Sequence, residues 1–573
     1  MSDERGALSG SRARPGTPGG TWAAWRLLAL GVAAASAFTL AGTGPGSLDD
    51  VFITLVYARN LAESGDFFWN AADGRIDGFT SLLDVLVKAP LFLAFRDPVA
   101  AAWWLNLACH ISVPLLAMAA CAWTLGGAAG AARRGAATAA AATAATAVGL
   151  ALATSRPLAY ASAFLLEMAL FAALAVAAVA GAVRPARPGV GAQLGFVLVL
   201  AVLTLARPEG LFLAAALVGL QGLRLAGADV PRSVRAAPAA AFLGFAAAYL
   251  SGRVLFFGHW APNTYYAKTS ASRLHELRDG LGYLAAYAAT PDGLVLLAGL
   301  GLLLLWLAAR ARRRAALPAA IAFPALGAAL MTGGVVVSGG DCYAGARFLV
   351  PTVALATLAF GAAAASRERP AAWLGRASLA ALLVIQLGVE LPHARAKLQI
   401  MARDWPLTEE HFDCHRRIAE ALASMEPAPV VAETDYQIVK YFAPELTVID
   451  LQGLSDRAIA HRPVAEPVRF GKFGWSTALE RDPDVWIYGY RVAYPGCPAL
   501  AGTSPLRALT DPALYEPCFG YGAPPEQAEV VAARYRLATL RVCELNANLL
   551  VRRGLEARAR AAGFRVEDGP ARP

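Results

Sequence analysis

Charge is scarce in this 573-residue sequence. Asp, Glu, Lys and Arg make up 16% of it, against 57% hydrophobic residues, and the mean hydropathy is +0.47. A soluble chain of this size carries more charge, so a soluble enzyme is excluded. No P-loop and no G-x-G-x-x-G occurs, which removes folds that cradle a nucleotide on a glycine-rich turn. No cleavage site follows the first apolar run, so that run is not a signal peptide. Internal repeats with Gly- or Pro-broken spans in matched halves, the mark of many transporters, are missing too. The basic loops are not interleaved with base-stacking aromatics, so the net charge of +9 calls for no nucleic acid.

What remains is a series of long apolar runs. Segments such as "GLVLLAGLGLLLLWLAA" and "LAALLVIQLGV" carry almost no ionisable group, and a span needs about 20 such residues. The Ala-rich "AATAAAATAATAVGLALA" reads as a weaker span among unambiguous ones. The first span covers about residues 22–40, after a polar, disordered-looking stretch, 1–21. The breaks between spans alternate in character. One set is Arg-rich: Arg12 and Arg14, "ARRGA", "VRPARPG", "VPRSVRAA", "AARARRRAA" and "SRERPAAWLGR". The other carries acids and aromatics: "SLDDVFIT", "SRPLAYASAFLLE", "ARPEG", "FFGHWAPNTYYAKTS" and "SGGDCYAGARF". Because Lys and Arg collect on the cytoplasmic side, the first set faces in and the second out, with about eleven spans and a cytoplasmic N-terminus. The expected location is the inner membrane. That assignment leaves Thr80–Phe95 on the outer side as a short amphipathic interfacial helix, in which Asp84 and Lys88, four apart, can pair.

Beyond about Leu391 no span is credible. "PVVAETD", "YQIVKYFAPE" and "LTVIDLQG" read as strand, helix and strand, and "DPDVWIYGYRV" and "LATLRVCELNANLLVRR" as further strands. The fold class expected is therefore mainly α, a polytopic membrane protein over residues 22–390, with an extracytoplasmic α/β domain over 391–573. Cys414, Cys497, Cys518 and Cys543 fall in a compartment that permits disulfides, with Cys497 and Cys518 the best pair.

The outer breaks are dense in polar residues, and polar groups converging at a membrane edge are candidate sites. Asp49 and Asp50 open a helical stretch with Tyr57, Arg59 and Asn60, followed by Trp69, Asn70 and Thr80. Other breaks contribute Arg207, Glu209, Asn263, Tyr266, Lys268, Asp341 and Arg347. Carboxylates supply a general base, cations bind a phosphate, and aromatics with Asn make a sugar platform. The mixture suits attack of an acceptor hydroxyl on a sugar whose leaving group is a lipid phosphate. In that reading Asp49 is the base and Asp50 its support, Arg347, Lys268, Arg207 and Arg59 meet the donor phosphate, and Tyr57, Asn60, Trp69, Asn70, Thr80, Asn263, Tyr266, Glu209 and Asp341 meet the sugars.

The texts "DDVFITLVYARNL", "GFTS", "ARPEG", "FGHWAPNTYYAK", "GGDCYAGARFLVP" and "TDYQIVKYFAPELTVIDLQGLSDRAIA" run in order along most of the chain. Together they make it resemble the GT-C type integral membrane glycosyltransferases, most of all the mycobacterial terminal β-(1→2)-arabinofuranosyltransferase family. Val56 and the Leu82–Asp84 stretch depart from that family's text. The resemblance implies a polyprenyl-phosphate sugar donor, a cell-envelope glycan or glycolipid acceptor, and an acidic catalytic motif falling on Asp49 and Asp50. No cofactor is assigned, and a divalent cation stays open, since one carboxylate of the pair can hold a cation or sugar hydroxyls. A flippase of lipid-linked intermediates and a non-catalytic assembly factor are the alternatives. Glu167 either lines the cavity or pairs with Arg156. His411 and His415, near Cys414, have zinc-ligand spacing, but exposed helices commonly carry two His so spaced.

Overall fold

The computed structural model describes residues 19–40, 49–126, 134–183, 190–226, 231–341, 345–390, 409–433, 438–464, 471–488, 500, 503–515, 522–542 and 545–567. The helical part runs α1 (Gly19–Leu40), α2 (Asp49–Ser64), α3 (Leu82–Ala94), α4 (Pro98–Gly126), α5 (Arg134–Ala153), α6 (Arg156–Ala163), α7 (Met168–Val183), α8 (Val190–Ala206), α9 (Glu209–Ala226), α10 (Arg232–Phe257), α11 (Asn263–Lys268), α12 (Arg273–Ala288), α13 (Pro291–Arg312), α14 (Ala319–Val337), α15 (Val350–Ala364) and α16 (Arg369–Ile385). Among the described residues seven helices are long and apolar enough to cross a membrane, and four shorter apolar helices, including the Ala-rich one, accompany them. The chain is a multi-pass membrane protein.

Helix α15 is the centre of the bundle, every one of its residues being buried. Small residues let the backbones approach there, as membrane helices do without a hydrophobic drive between them: Ala356, Ala359 and Ala363 on α15, Ala144 and Ala145 on α5, and Ala172 and Ala175 on α7 share one core. Side-chain caps start α3, α12 and α13, where Ser81, Ser272 and Thr290 accept from Asp84, His275 and Gly293 amides. Helix α3 is too short to span. Its Asp84–Lys88 pair forms at 2.6 Å as the spacing predicts, yet both side chains are buried against the protein, not set toward an interface.

The C-terminal part begins with α17 (Glu409–Ala423). It is built on one six-stranded sheet, in the order β2-β1-β3-β5-β4-β6. The strands are β1 (Val430–Glu433), β2 (Thr447–Asp450), β3 (Val485–Tyr488), β4 (Tyr535–Val542), β5 (Leu545–Arg552) and β6 (Arg565–Val566). β1 lies parallel to β2 and β3, and the others are antiparallel. The text "LATLRVCELNANLLVRR", read as further strand, forms most of the paired strands β4 and β5. Cys414 on α17 is disulfide-bonded, which suits an oxidising compartment. The Cys497–Cys518 pairing lies outside the described residues.

Edge strand β2 is closed by the helical part. Val448 gives its amide to Asn70 Oδ1 at 3.0 Å, and its carbonyl accepts from Asn70 Nδ2 at 2.8 Å and Trp69 Nε1 at 3.1 Å. The Asn70 carboxamide thus stands in for a neighbouring strand. Arg59 donates to the Tyr441 carbonyl at 2.6 Å and the Lys440 carbonyl at 3.4 Å. Asn263 donates to the carbonyls of Gly453 and Leu454 at 2.8 and 2.9 Å. Gly78 gives its amide to the Tyr57 hydroxyl at 3.1 Å. A Cβ there would sit 2.6 Å from Ser455 Oγ, so only glycine allows the two parts to close this far. Asn70→Asp, which removes both amide donors, is expected to loosen the seam by about 1–3 kcal/mol. Hydrogen exchange at Val448 reads this directly, and unchanged protection would refute it.

Candidate functional site

Asp50 lies in the first turn of α2, where the helix dipole favours a carboxylate. Two separate elements bring cations to it. The turn Gly345–Ala346 has positive φ at both residues, +99° and +58°, and a Cβ on Gly345 would lie 2.6 Å from the Tyr160 ring. Glycine therefore meets both the conformation and the close approach. The turn aims Arg347, 4% exposed, so that its Nη2 donates to Asp50 Oδ2 at 3.1 Å. The same guanidinium holds Asp341 through Nε at 2.5 Å and Nη2 at 3.1 Å. Lys268, the last residue of α11, is the second cation. Burial works to raise the Asp50 pKa, but Lys268 and Arg347 outweigh it and hold the carboxyl below its ordinary range. The Asp49 side chain lies outside the described residues.

A second ionic group adjoins the first. Arg207, between α8 and α9, donates Nε to Glu209 at 3.2 Å and Nη2 to its other oxygen at 3.0 Å, and also pairs with Glu167. The Phe348 ring lies between the two groups, with the Arg207 and Arg347 guanidinium carbons 5.0 and 5.2 Å from its centroid. Tyr283 of α12 accepts from the Phe348 amide at 3.3 Å.

Glu167 follows a turn with Leu165 at φ +58°. Lys88 donates to the Leu165 carbonyl and Asn106 to the Leu166 carbonyl, each at 3.1 Å. Glu167 thus faces Arg207, whereas Arg156 pairs with Asp292 at 3.4 Å. Of the two readings of Glu167, the geometry favours the one in which it lines the ionic group, through Arg207. Lys88, Asn106 and Tyr283 were not singled out from sequence as parts of this region. For Lys88 and Asn106 the available signal was a charge or amide inside an apolar stretch; Tyr283 carried none.

The structure therefore divides the residues marked in the sequence. Asp50, Lys268, Arg347, Asp341, Arg207 and Glu209 come together. Tyr57, Arg59, Trp69, Asn70 and Asn263 do not join them. They are buried in the seam with the C-terminal part, where the Tyr57 hydroxyl, both Arg59 Nη atoms, Trp69 Nε1, the Asn70 carboxamide and Asn263 Nδ2 find partners; the Arg59 guanidinium, read from sequence as a phosphate ligand, serves the backbone carbonyls of Tyr441 and Lys440. Asn60 donates to the Phe68 carbonyl at 2.8 Å and shapes the same loop. Thr80 meets Thr264, Oγ1 to Oγ1, at 3.1 Å. Tyr266 packs on His461, with centroids 4.2 Å apart, at the rim of the seam.

The described donors do not fit a divalent cation. Asp50 already faces two cations, and among the described residues no group of three or more His, Cys, Asp or Glu converges. Zinc at His411 and His415 fits no better, since Cys414 is in a disulfide and offers no thiolate; the His411 side chain lies outside the described residues.

No protein family and no curated protein matches the chain. The solved structures that are similar in overall shape include two of one protein. One is ArnT from Cupriavidus metallidurans in the apo state, with TM-score 0.49 and 15% identity over 92% of this chain and 98% of that one. The other is ArnT from the same organism bound to undecaprenyl phosphate, with TM-score 0.48 and 14% identity over 93% and 99%.

Proposed function

We propose that the chain is a GT-C type membrane glycosyltransferase. It moves a sugar, arabinofuranose by its motif resemblance, from a polyprenyl-phosphate donor to an envelope glycan or glycolipid at the outer face of the inner membrane. The observation that carries this reading is the meeting of Asp50, Lys268 and Arg347 from three separate elements. A carboxylate beside two cations is what in-place attack by a hydroxyl with a phosphate leaving group asks for. The acceptor hydroxyl gives its proton to the base, Asp49, as its oxygen bonds the sugar carbon. The carbon–oxygen bond to phosphate breaks with its electron pair going to the phosphate, and Lys268 and Arg347 meet the charge that develops there. Asp341 holds Arg347 in place. Incubating the purified protein with radiolabelled polyprenyl-phosphate sugars and envelope acceptors tests the reading. Transfer of label supports it, and translocation of lipid without transfer would replace it with a flippase.

The reading needs the site and the C-terminal domain on the same, outer side, opposite the Arg310–Arg314 run. Reporter fusions after Ala315 and at the C-terminus are expected to report opposite sides of the membrane. The same side for both would end this topology.

A further inference from the structure

Arg347 serves two carboxylates unequally. Asp341 is held at two points, 2.5 and 3.1 Å, with its side chain 2% exposed; Asp50 is held at one, 3.1 Å, with its side chain 21% exposed. Asp50 is thus the weaker and more accessible partner, and it lies where Arg347 and Lys268 both act on it. A carboxylate and a phosphate present the same chemistry to a guanidinium, an oxyanion edge that accepts in its plane.

We propose that Asp50 is a built-in stand-in for the donor phosphate, occupying the cations until the lipid arrives and released from them, with uptake of a proton from solvent, when it binds. The inference rests on the function proposed above and adds how that site is regulated. Among the described residues the charged groups that act on Asp50 are Lys268 on α11 and Arg347 before α15, with Asp341 held by the same Arg347; Asp49 precedes it on α2. Once the phosphate holds both cations, what remains for Asp50 is burial, which favours the protonated acid. The exchange keeps the buried charge balanced: one anion enters as another is neutralised. It also returns Asp50 to Arg347 as the lipid phosphate leaves, which prevents the product from being held too tightly.

The test uses full-length protein in nanodiscs and a polyprenyl methyl phosphate, a diester with no titrating proton of its own near neutrality, with polyprenol as the control lipid. For the unaltered protein, affinity is expected to rise on going from about pH 7.5 to about pH 5.5, and calorimetry in two buffers of different ionisation enthalpy is expected to show proton uptake. Asp50→Asn is expected to bind the diester about tenfold or more tightly at neutral pH, having lost the competing anion, and to take up no proton. Equal or weaker binding by a folded Asp50→Asn would overturn the proposal, because a residue that merely orients Arg347 would weaken binding when removed. Absence of proton uptake in the unaltered protein would overturn it without any variant. If the unaltered protein fails to prefer the phosphate lipid over polyprenol, the glycosyltransferase reading falls and this inference with it.

Discussion

Asp49→Asn is expected to express, insert and bind the lipid donor normally, and to transfer sugar about 10²–10⁴-fold more slowly, the usual cost of losing a general base. In the proposed reaction the donor's phosphate stays near the headgroups because its tail is in the bilayer. The acceptor hydroxyl must then be deprotonated at that depth, and a carboxylate fixed at the start of a rigid helix is held there. Adjacent residues at a helix start point in different directions. With Asp50 paired to Arg347 and Lys268 before the donor binds, and protonated once the phosphate takes those cations, Asp49 is the member of the pair left as base for the acceptor. The assay is single-turnover transfer with each Asn variant. Near-normal transfer by Asp49→Asn with none by Asp50→Asn would exchange the two roles. Activity in both would leave the pair as a solvated loop and end the mechanism.

Removing Arg347 is expected to cost more than activity. From the motif "GGDCYAGARF" alone, Arg347→Ala reads as a loss of phosphate binding in a protein that still folds. The structure changes that expectation. Arg347 is a guanidinium that holds Asp341 at two points, and the Asp341 side chain is 2% exposed; taking an ion partner from a buried carboxylate costs up to about 3–5 kcal/mol. Arg347→Ala should therefore lower the melting temperature in detergent as well as abolish transfer. Arg347→Ala combined with Asp341→Asn should recover most of the melting temperature and none of the transfer. Lys268→Ala, at the end of a one-and-a-half-turn helix and half-buried, should raise the donor requirement with the fold intact. A folded, fully active double variant would show that Arg347 is only a structural counter-ion.

Membrane character, a mainly α apolar part and an α/β part after it were legible in the sequence. Those follow from local quantities: 20-residue apolar windows, and alternating short strands and helices of ordinary polarity after them. Even the Asp84–Lys88 pair was legible, since four-residue spacing puts both on one helix face. Which polar residues share a site was not legible there and came from the packing of distant segments. Tyr57, Arg59, Trp69 and Asn70 sit within or just beyond the same helix as Asp50. Yet their partners, Gly78, Tyr441, Lys440 and Val448, lie in a neighbouring loop and a domain almost four hundred residues away. A buried seam between two parts and a ligand site both recruit polar and aromatic side chains, because both must satisfy hydrogen bonds away from water. Spacing along the chain cannot tell them apart. The same holds for Glu167, whose partner is fixed by a strained turn and by two donors, Lys88 and Asn106, from other helices.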